Sequence, residues 1–553
     1  MATPLERYIQ WLRDNGARFD KFDFKTDHDG IGSVYASQPV EENETLATLP
    51  FRLAITEPVA RRAFPSLHAY PCRPVMSAFV AQQKNLGSQS FYAPYLDVLP
   101  AKIMTTLFFD DDDMRFIENT SIATATMERK AAIHAEYEKL LREPGVDNIS
   151  WDDYLWAYCV LSSRSFPYKL IDPSKEDVPS EVLFPLLDAL NHKPNTKITW
   201  MRSGDEETGT LSFVTGQPAD QGQQLFNNYG PKSNEELLLG YGFCFQYNEY
   251  DHFAIKPNFS QDPNGPIKLS LLSQANIVSG NDDPLLNYVH RQSAPDSLWK
   301  LMRVLVMNET EISYYANCTD ASMLDFVGYR NELAMLNTTQ SLLQFKLMNV
   351  QRLPVSRDQA TKPWQQYALM YRDGQEDVLK SILSMVEQRK QSVLKTMAQD
   401  TVAPNAPFLK IVNPEHFSTP REESSSMVML ENVTISLKQL LQRNPTFKNA
   451  VDQLFEDIEE EEDIVFMLAL IQERSKEVKS KWHDFFNKTS NLQEVDPQTA
   501  AELQDLYSSL FPAFTNAVPD VFHPTIFTFE ALLWADNVLN TYSLSNPLVL
   551  VPM

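Results

Sequence analysis

The stretch that decides the fold is FNNYGPKSNEELLLGYGF, residues 226–243. It holds two tyrosines, Tyr229 and Tyr241, each followed by a glycine and separated by about two helical turns. A single tyrosine is commonly a core residue with one polar tip. Two of them in this spacing raise the question of whether they do different work.

A short helix is predicted between the two tyrosines. Ser233-x-x-Glu236 is a capping box, in which the serine and glutamate side chains satisfy free backbone N–H groups at a helix start. We expect the helix to begin near Asn234 and to end at Gly240. The first tyrosine then lies at a strand end and the second just beyond the helix.

Glycines mark a β-rich region around this stretch. The chain has 16 glycines, and seven of them fall between Gly204 and Gly242. Because glycine serves tight turns, residues about 185–256 are predicted to form short strands and hairpins. A smaller strand-like cluster covers residues 29–50, and helical patterns dominate between the two regions. A helical insertion therefore splits the β portion.

The second half of the chain has the 3.6-residue periodicity of helices, as in Leu379, Ile382 and Val386. A length of 553 residues is enough for two or three cores. We predict a first domain over residues 1–256, with the helical insertion at about 55–185, and a helical second domain over residues 257–553.

Composition narrows the class of partner. The net charge of −25 argues against binding to a phosphate backbone and favours a basic, lysine-presenting protein. The four cysteines are far apart, so neither a zinc knuckle nor a disulfide framework is indicated. We find no signal core and no apolar run near the roughly 20 residues that a membrane helix needs. We expect a monomer in the cytoplasm or nucleus, with no metal, membrane or nucleic acid.

Three more stretches carry polar residues suited to a site, and each has a simpler structural reading. DHDGIGSVYA places Gly30 and Gly32 in a strand context, which a hairpin turn would also explain. LSSRSFPY ends a helix pattern at Arg164, where a cation can stabilise the helix dipole. LLDALNHKPNTKITW contains Asn191 and His192, which could simply cap a helix.

The order of these stretches resembles the SET-domain methyltransferases, in the branch typified by the Rubisco large-subunit lysine methyltransferase. FYAPYLDVLP, residues 91–100, resembles the APYLxxLP stretch of that branch, and SNEELLLGYGF resembles its SNAELxxxYGF. The resemblance covers residues about 25–256. The helical remainder resembles the C-terminal substrate-binding domain of the same branch.

The resemblance implies an α+β fold. It consists of a SET-domain β-fold of short sheets, with a threaded, pseudoknot-like C-terminal segment and a helical insertion, followed by an all-α domain. It also implies S-adenosylmethionine as the cofactor and Tyr229 as the catalytic residue. The cofactor-binding residues would be Asp29, Gly30, Ile31, Gly32, Arg164, Asn191, His192 and Tyr229. The residues lining the substrate-lysine channel would be Ser163, Phe166, Asp188, Tyr241 and Phe243.

The implied activity is protein-lysine N-methylation of a non-histone protein, such as a ribosomal protein or a translation elongation factor. A relative that methylates an actin histidine carries asparagine where this chain has Phe166. Phenylalanine favours lysine, because its ring packs the aliphatic lysine stem whereas asparagine can hydrogen-bond an imidazole. Protein-histidine methylation and an idle, protein-binding SET-like module remain alternatives. The plant enzyme has a tyrosine in the strand after Asn-His; the nearest aromatic here is Trp200, which receives no role.

Overall fold

The computed structural model describes residues 2–26, 32–146, 148–176, 179–277, 283–402, 433–476, 482–489, 497–545 and 548–551. The chain divides into two compact units. Unit 1 consists of residues 1–252 and 348–377, and unit 2 consists of residues 253–347 and 378–553.

Unit 1 combines short strands with helices. Its strands are β1 Phe22–Thr26, β2 Gly32–Ala36, β3 Thr45–Pro50, β4 Ile55–Thr56, β5 Phe166–Pro167, β6 Glu181–Leu183, β7 Asn191–His192, β8 Ile198–Ser203, β9 Thr210–Thr215 and β10 Gln224–Asn227. Its helices up to residue 252 are α1 Pro4–Asp14, α2 Glu57–Ala63, α3 Cys72–Asn85, α4 Ala93–Leu96, α5 Asp111–Met114, α6 Ser121–Leu140, α7 Trp151–Arg164 and α8 Asn234–Gly240.

A four-stranded sheet with the order β1-β2-β10-β7 brings the functional stretches together. Strand β10 is antiparallel to β2 and parallel to β7, so that Phe226 lies opposite Asn191 and Asn227 opposite His192. Parallel strands need a long connection, which here contains β8 and β9. The pairing therefore sets the Asn-His pair beside the strand that leads to Tyr229.

The predicted helix between the two tyrosines is confirmed. Helix α8 spans Asn234–Gly240, and Ser233 and Glu236 form the expected capping box. Two further three-stranded sheets, β3-β9-β8 and β4-β6-β5, complete the β portion of unit 1. Apolar side chains of these sheets share one core with helices α1, α3, α6 and α7.

Unit 2 is mostly helical. Its further helices are α9 Gly265–Gln274, α10 Asp296–Leu305, α11 Glu309–Tyr315, α12 Tyr329–Gln351, α13 Pro363–Val402, α14 Leu437–Arg443, α15 Pro445–Leu454, α16 Glu462–Arg474, α17 His483–Lys488, α18 Pro497–Ala517 and α19 Phe529–Tyr542. It also holds two small sheets, formed by β11 His252–Ile255 with β12 Asn287–His290, and by β13 Ile435–Ser436, β14 Ser543–Ser545 and β15 Leu548–Leu550. Strand β11 lies within the region predicted to form short strands. The other four strands are too short to leave a periodicity in the sequence, so the helical pattern did not predict them.

The end of α12 and the start of α13, residues 348–377, complete unit 1. Arg372 is 2% exposed, and its guanidinium donates to the carbonyl oxygens of Phe116 and Glu118, at 3.2 and 2.6 Å from Nη2, and of Val350. The hydroxyl of Tyr371 donates to Glu235 Oε2 on α8 at 2.8 Å. A segment far along the chain therefore braces the helix that separates the two tyrosines.

Within the described ranges, the helices all fall short of the length and apolar character that would be needed to span a membrane.

Candidate active site

Three stacked rings form the centre of the site. The Tyr229 ring lies between the rings of His192 and Tyr241, with centroid distances of 4.9 and 5.1 Å and interplanar angles of 13° and 23°. Their backbones come from the sheet and from the end of α8. The sheet register and the short helix thus decide where the two tyrosines meet.

His192 is fixed by the backbone of the residue that it stacks on. The backbone N–H of Tyr229 donates to His192 Nδ1 at 3.0 Å, so the neutral imidazole carries its proton on Nε2. His192 Nε2 is buried and has no partner among the described residues. Burial lowers the pKa of His192, which keeps the ring neutral at physiological pH.

The hydroxyl of Tyr229 donates to the carbonyl oxygen of Leu190 at 2.9 Å. Burial raises the pKa of Tyr229, so the group remains a neutral phenol. A neutral hydroxyl with one donated bond still has oxygen lone pairs to accept a hydrogen bond. These lone pairs can accept a weak hydrogen bond from an electron-poor C–H group.

A cavity of about 340 Å³ opens beside Tyr229. Aromatic side chains form one side of it, where Phe166 and Trp200 pack edge to face with their centroids 5.3 Å apart. Tyr241 belongs to the lining as well. The complete lining is Ser163, Arg164, Ser165, Phe166, Pro167, Lys169, Leu170, Asp188, Trp200, Asn227, Asn228, Tyr229 and Tyr241. This mixture of apolar walls and a few polar groups suits a long aliphatic side chain with a polar end.

One ion pair lies in the cavity wall. Arg164 Nη1 donates to the main-chain oxygen of Asp188 at 3.0 Å and lies 3.3 Å from its Oδ2. The Asp188 side chain is 2% exposed and that of Arg164 is 25% exposed. Burial raises the pKa of Asp188, while the adjacent guanidinium acts in the opposite direction. For Arg164, burial lowers the pKa, but the Asp188 carboxylate outweighs it and the net direction is upward.

The other predicted site residues divide by position. Ser163 lies in the cavity wall, where its hydroxyl donates to the carbonyl oxygen of Cys159 at 2.9 Å. Phe243 packs edge to face on Tyr241 at 6.3 Å and is not part of the cavity lining. Asn191 Nδ2 donates to the carbonyl oxygen of Gly32 at 3.3 Å and to Ser33 Oγ at 3.0 Å. Asp29, Gly30 and Ile31 lie outside the described residues.

Sequence reasoning missed several residues of the site. Trp200 lines the cavity although it received no role, and Asn227, Asn228 and Lys169 join it there. Tyr95, from the APYL motif, donates its hydroxyl to Asp188 Oδ2 at 2.7 Å. Of these residues, only Tyr95 belongs to a motif that the sequence analysis used. That motif indicated a protein family and did not predict the hydrogen bond to Asp188.

Across the part of the chain that the structure describes, no group of three or more histidine, cysteine or carboxylate side chains could hold a metal ion. All four cysteines are buried and free.

Known proteins resemble this chain along its whole length. No family model matches it. A ribosomal lysine N-methyltransferase of Schizosaccharomyces pombe is 26% identical over 568 residues, covering 98% of each chain. A protein-lysine N-methyltransferase of Saccharomyces cerevisiae is 20% identical over 590 residues, covering 97% of this chain and 95% of the relative. An actin-histidine N-methyltransferase of Gallus gallus is 25% identical over 324 residues, covering 55% of this chain and 53% of the relative.

A solved structure shares the fold. The SET domain of LSMT bound to lysine and AdoHcy matches with a TM-score of 0.61 and 17% identity, over 70% of this chain and 92% of that chain. At that identity the similarity establishes the fold, and it is the predicted one.

Proposed function

We propose that this chain, which has the SET-domain fold, is an S-adenosylmethionine-dependent protein-lysine N-methyltransferase of the branch related to the Rubisco large-subunit methyltransferase. The observation that carries the proposal is the cavity beside Tyr229, where a neutral tyrosine hydroxyl meets an aromatic wall of Phe166, Trp200 and Tyr241. Full-length similarity to two lysine methyltransferases supports it.

The cavity residues suit a lysine acceptor. A free lysine amine has a pKa near about 10.4, and only its neutral form can attack a methyl group. Desolvation lowers the pKa of an amine, and the half-buried rings of Phe166, Trp200 and Tyr241 exclude water from such a side chain. The same rings pack its aliphatic stem, so the wall both selects lysine and favours its reactive form.

The residues around Tyr229 fit S-adenosylmethionine, which when bound supplies a methyl group activated by a sulfonium centre. Arg164 Nε and Nη2 have no protein partner among the described residues, so they can bind a ligand carboxylate. A Cβ atom on Gly32 would meet open space there, which leaves room for a ligand beside the Asn191 side chain. We assign these three residues, with His192, to the cofactor.

Tyr229 is the residue that we place at the reacting methyl. Its hydroxyl oxygen can accept a hydrogen bond from the polarised C–H groups of the methyl, while its O–H group continues to donate to the Leu190 carbonyl oxygen. The His192 and Tyr241 rings hold the plane of the Tyr229 ring from both sides. Alignment of the acceptor with the methyl is the main contribution that such a site can make to the rate.

The substrate that we propose is a lysine-presenting protein of the translation machinery. Relatives named ribosomal lysine N-methyltransferases support this class. The net charge of −25 favours a basic protein partner over a nucleic acid. We further propose that the protein acts as a monomer in the cytoplasm.

The test is incubation with labelled S-adenosylmethionine and an extract of cells that lack this protein. We expect one or a few proteins to gain label on lysine. Tyr229→Phe should lower turnover by about 100-fold with little change in cofactor affinity, because it removes an interaction made at the reacting group. Tyr241→Phe should instead change acceptor use or the number of methyl groups added. The absence of any labelled protein, together with no cofactor binding at micromolar levels in calorimetry, would favour an idle protein-binding module.

Histidine is the second candidate acceptor. The 25% identity to an actin-histidine N-methyltransferase favours it, although that relative matches little more than half of this chain. Phe166 argues for lysine, since its ring faces Trp200 and offers no hydrogen bond to an imidazole. Mass spectrometry of the modified peptide separates the two acceptors.

A further inference from the structure

The APYL motif on α4 places a buried tyrosine against the wall of the active site. Tyr95 is 1% exposed, and its ring lies 6.2 Å from that of Tyr8 on α1. Its hydroxyl donates to Asp188 Oδ2 at 2.7 Å. Tyr95 is not part of the cavity lining, whereas Asp188 is. The hydrogen bond to the Asp188 carboxylate therefore links Tyr95 to the cavity.

The Asp188 carboxylate connects Tyr95 to the cavity cation. Its Oδ2 receives the Tyr95 hydroxyl and lies 3.3 Å from Arg164 Nη1. The same Nη1 also donates to the Asp188 main-chain oxygen. One nitrogen of the guanidinium is thus occupied by Asp188, and the other two remain without a protein partner in the described ranges.

The turn that carries Asp188 is itself held from α1. Leu186 has a φ of +84°, a conformation that is strained for a residue with a branched side chain. Its backbone N–H donates to the Tyr8 hydroxyl oxygen at 2.7 Å. Tyr8 therefore fixes the backbone of the turn, whereas Tyr95 contacts the carboxylate.

We propose that Tyr95 is a positioning residue for methyl transfer, whose hydroxyl fixes the Asp188 carboxylate so that Asp188 holds Arg164 for the carboxylate of the cofactor. This inference rests on the proposed function, because it assigns Arg164 to a ligand carboxylate. It gives the APYL motif a role in ligand binding in addition to packing.

The charge on Asp188 depends on its two partners. Burial opposes the ionised carboxylate, while Arg164 and Tyr95 both favour it. The other titratable groups that act on this carboxylate or feel its charge are Tyr8 from α1 and Tyr229 after β10. Tyr95→Phe removes one of the two stabilising contacts and no charge. The variant should therefore protonate Asp188, and release Arg164, at a higher pH than the wild type does.

The experiment measures the affinity for S-adenosylhomocysteine by calorimetry from about pH 5.5 to about pH 9. In Tyr95→Phe we expect the acid-side loss of affinity to move to higher pH by about one unit. Affinity should be about tenfold weaker at the acidic end and within about twofold of the wild type at the alkaline end. Thermal unfolding at each pH verifies that the variant is folded.

Tyr92→Phe is the matched control. Tyr92 is also buried and borders the same helix, but among the residues that the structure describes its hydroxyl donates only to the carbonyl oxygen of Ala54, at 3.5 Å. In an Asp188→Asn background, Tyr95→Phe should lose its pH-dependent effect, since no carboxylate remains to titrate. A loss of affinity that is equal at every pH, or that Tyr92→Phe reproduces, would overturn the inference. If the wild type itself fails to bind S-adenosylhomocysteine, the proposed function fails instead.

Discussion

At the scale of single residues, the pair of rings formed by Phe166 and Trp200 is the part of the cavity that tests acceptor binding. Trp200 packs edge to face with Phe166, and both rings line the cavity. Trp200→Ala should raise KM for the protein substrate about tenfold, because aromatic packing against the aliphatic stem of the lysine is lost. Trp200→Phe should recover most of that loss. Initial-rate kinetics with the identified substrate measure both variants.

Affinity for S-adenosylhomocysteine separates this role from cofactor binding. This affinity should stay within about twofold of the wild type in both variants, which corresponds to about 0.4 kcal/mol of binding free energy. An unchanged substrate KM with a weakened cofactor would place Trp200 at the other end of the cavity.

The lowered pKa of His192 makes the unfolding free energy depend on pH. Its pKa is lower in the folded protein than the ordinary value of 6.5, so the unfolded chain binds the proton more readily. Stability should therefore fall as the pH drops below about 6.5, by up to about 1.4 kcal/mol for each pH unit until the folded-state pKa is reached. Protonation would also remove the Nδ1 lone pair that accepts the Tyr229 backbone N–H.

The variant His192→Asn keeps an acceptor and cannot titrate. Its unfolding free energy, measured by urea denaturation, should change less between about pH 7 and about pH 5 than that of the wild type. The values at about pH 8, where both side chains are neutral, serve as the reference. If the unfolding free energy changes equally with pH in the two proteins, protonation of His192 does not cause the loss of stability in acid.

At the scale of elements, the glycines that flank α8 have different constraints. Gly230 and Gly242 both have positive φ, +97° and +84°. A Cβ atom on Gly242 would lie 2.8 Å from the carbonyl oxygen of Met104, whereas one on Gly230 would meet nothing within 4 Å. Gly230→Ala should lower the unfolding free energy by about 1–2 kcal/mol through backbone strain alone.

Gly242→Ala adds a backbone clash to the same strain. We expect it to lower the unfolding free energy by about 3–4 kcal/mol, again measured by urea denaturation. Equal losses of unfolding free energy in the two variants would mean that the backbone at Met104 moves easily to accommodate the added methyl group. That result would contradict a rigid backbone on either side of Tyr241.

Elements whose signal is local could be predicted from the sequence. The capping box of Ser233 and Glu236 sets the start of α8, because its hydrogen bonds span three residues. Trp200 could not be placed, since its contact with Phe166 depends on how separate sheets pack in space. The bond between Tyr95 and Asp188 joins residues 93 positions apart and leaves no local pattern.

At the scale of the whole molecule, unit 1, which contains the candidate site, includes a segment that lies beyond the predicted boundary at residue 256. Residues 348–377 belong to unit 1, and Arg372 binds the backbone of residues 116 and 118 there. Arg372→Met should lower the unfolding free energy by about 3 kcal/mol, because the carbonyl oxygens of Phe116, Glu118 and Val350 lose a buried, charged donor. Thermal and urea denaturation of the full chain measure the loss.

Arg357→Met is the matched control in the same segment. Arg357 pairs with Asp373 at 2.6 Å, and both side chains are 52% exposed. Because exposed ion pairs contribute little, this variant should lose less than about 1 kcal/mol. If Arg357→Met destabilises the protein as much as Arg372→Met does, the segment does not stabilise unit 1 through its buried arginine.

Because unit 1 consists of two separate parts of the chain, its second part is synthesised well after the first. After His252, a ribosome must add 125 more residues before Asp377, the last residue of unit 1, has been made. At about 5–20 residues per second, roughly 6–25 seconds pass before residues 348–377 can complete unit 1. Throughout that interval the carbonyl oxygens of Phe116 and Glu118 lack the Arg372 guanidinium, and Glu235 lacks the Tyr371 hydroxyl. Nascent-chain chaperones can bind unit 1 for as long as these contacts are missing.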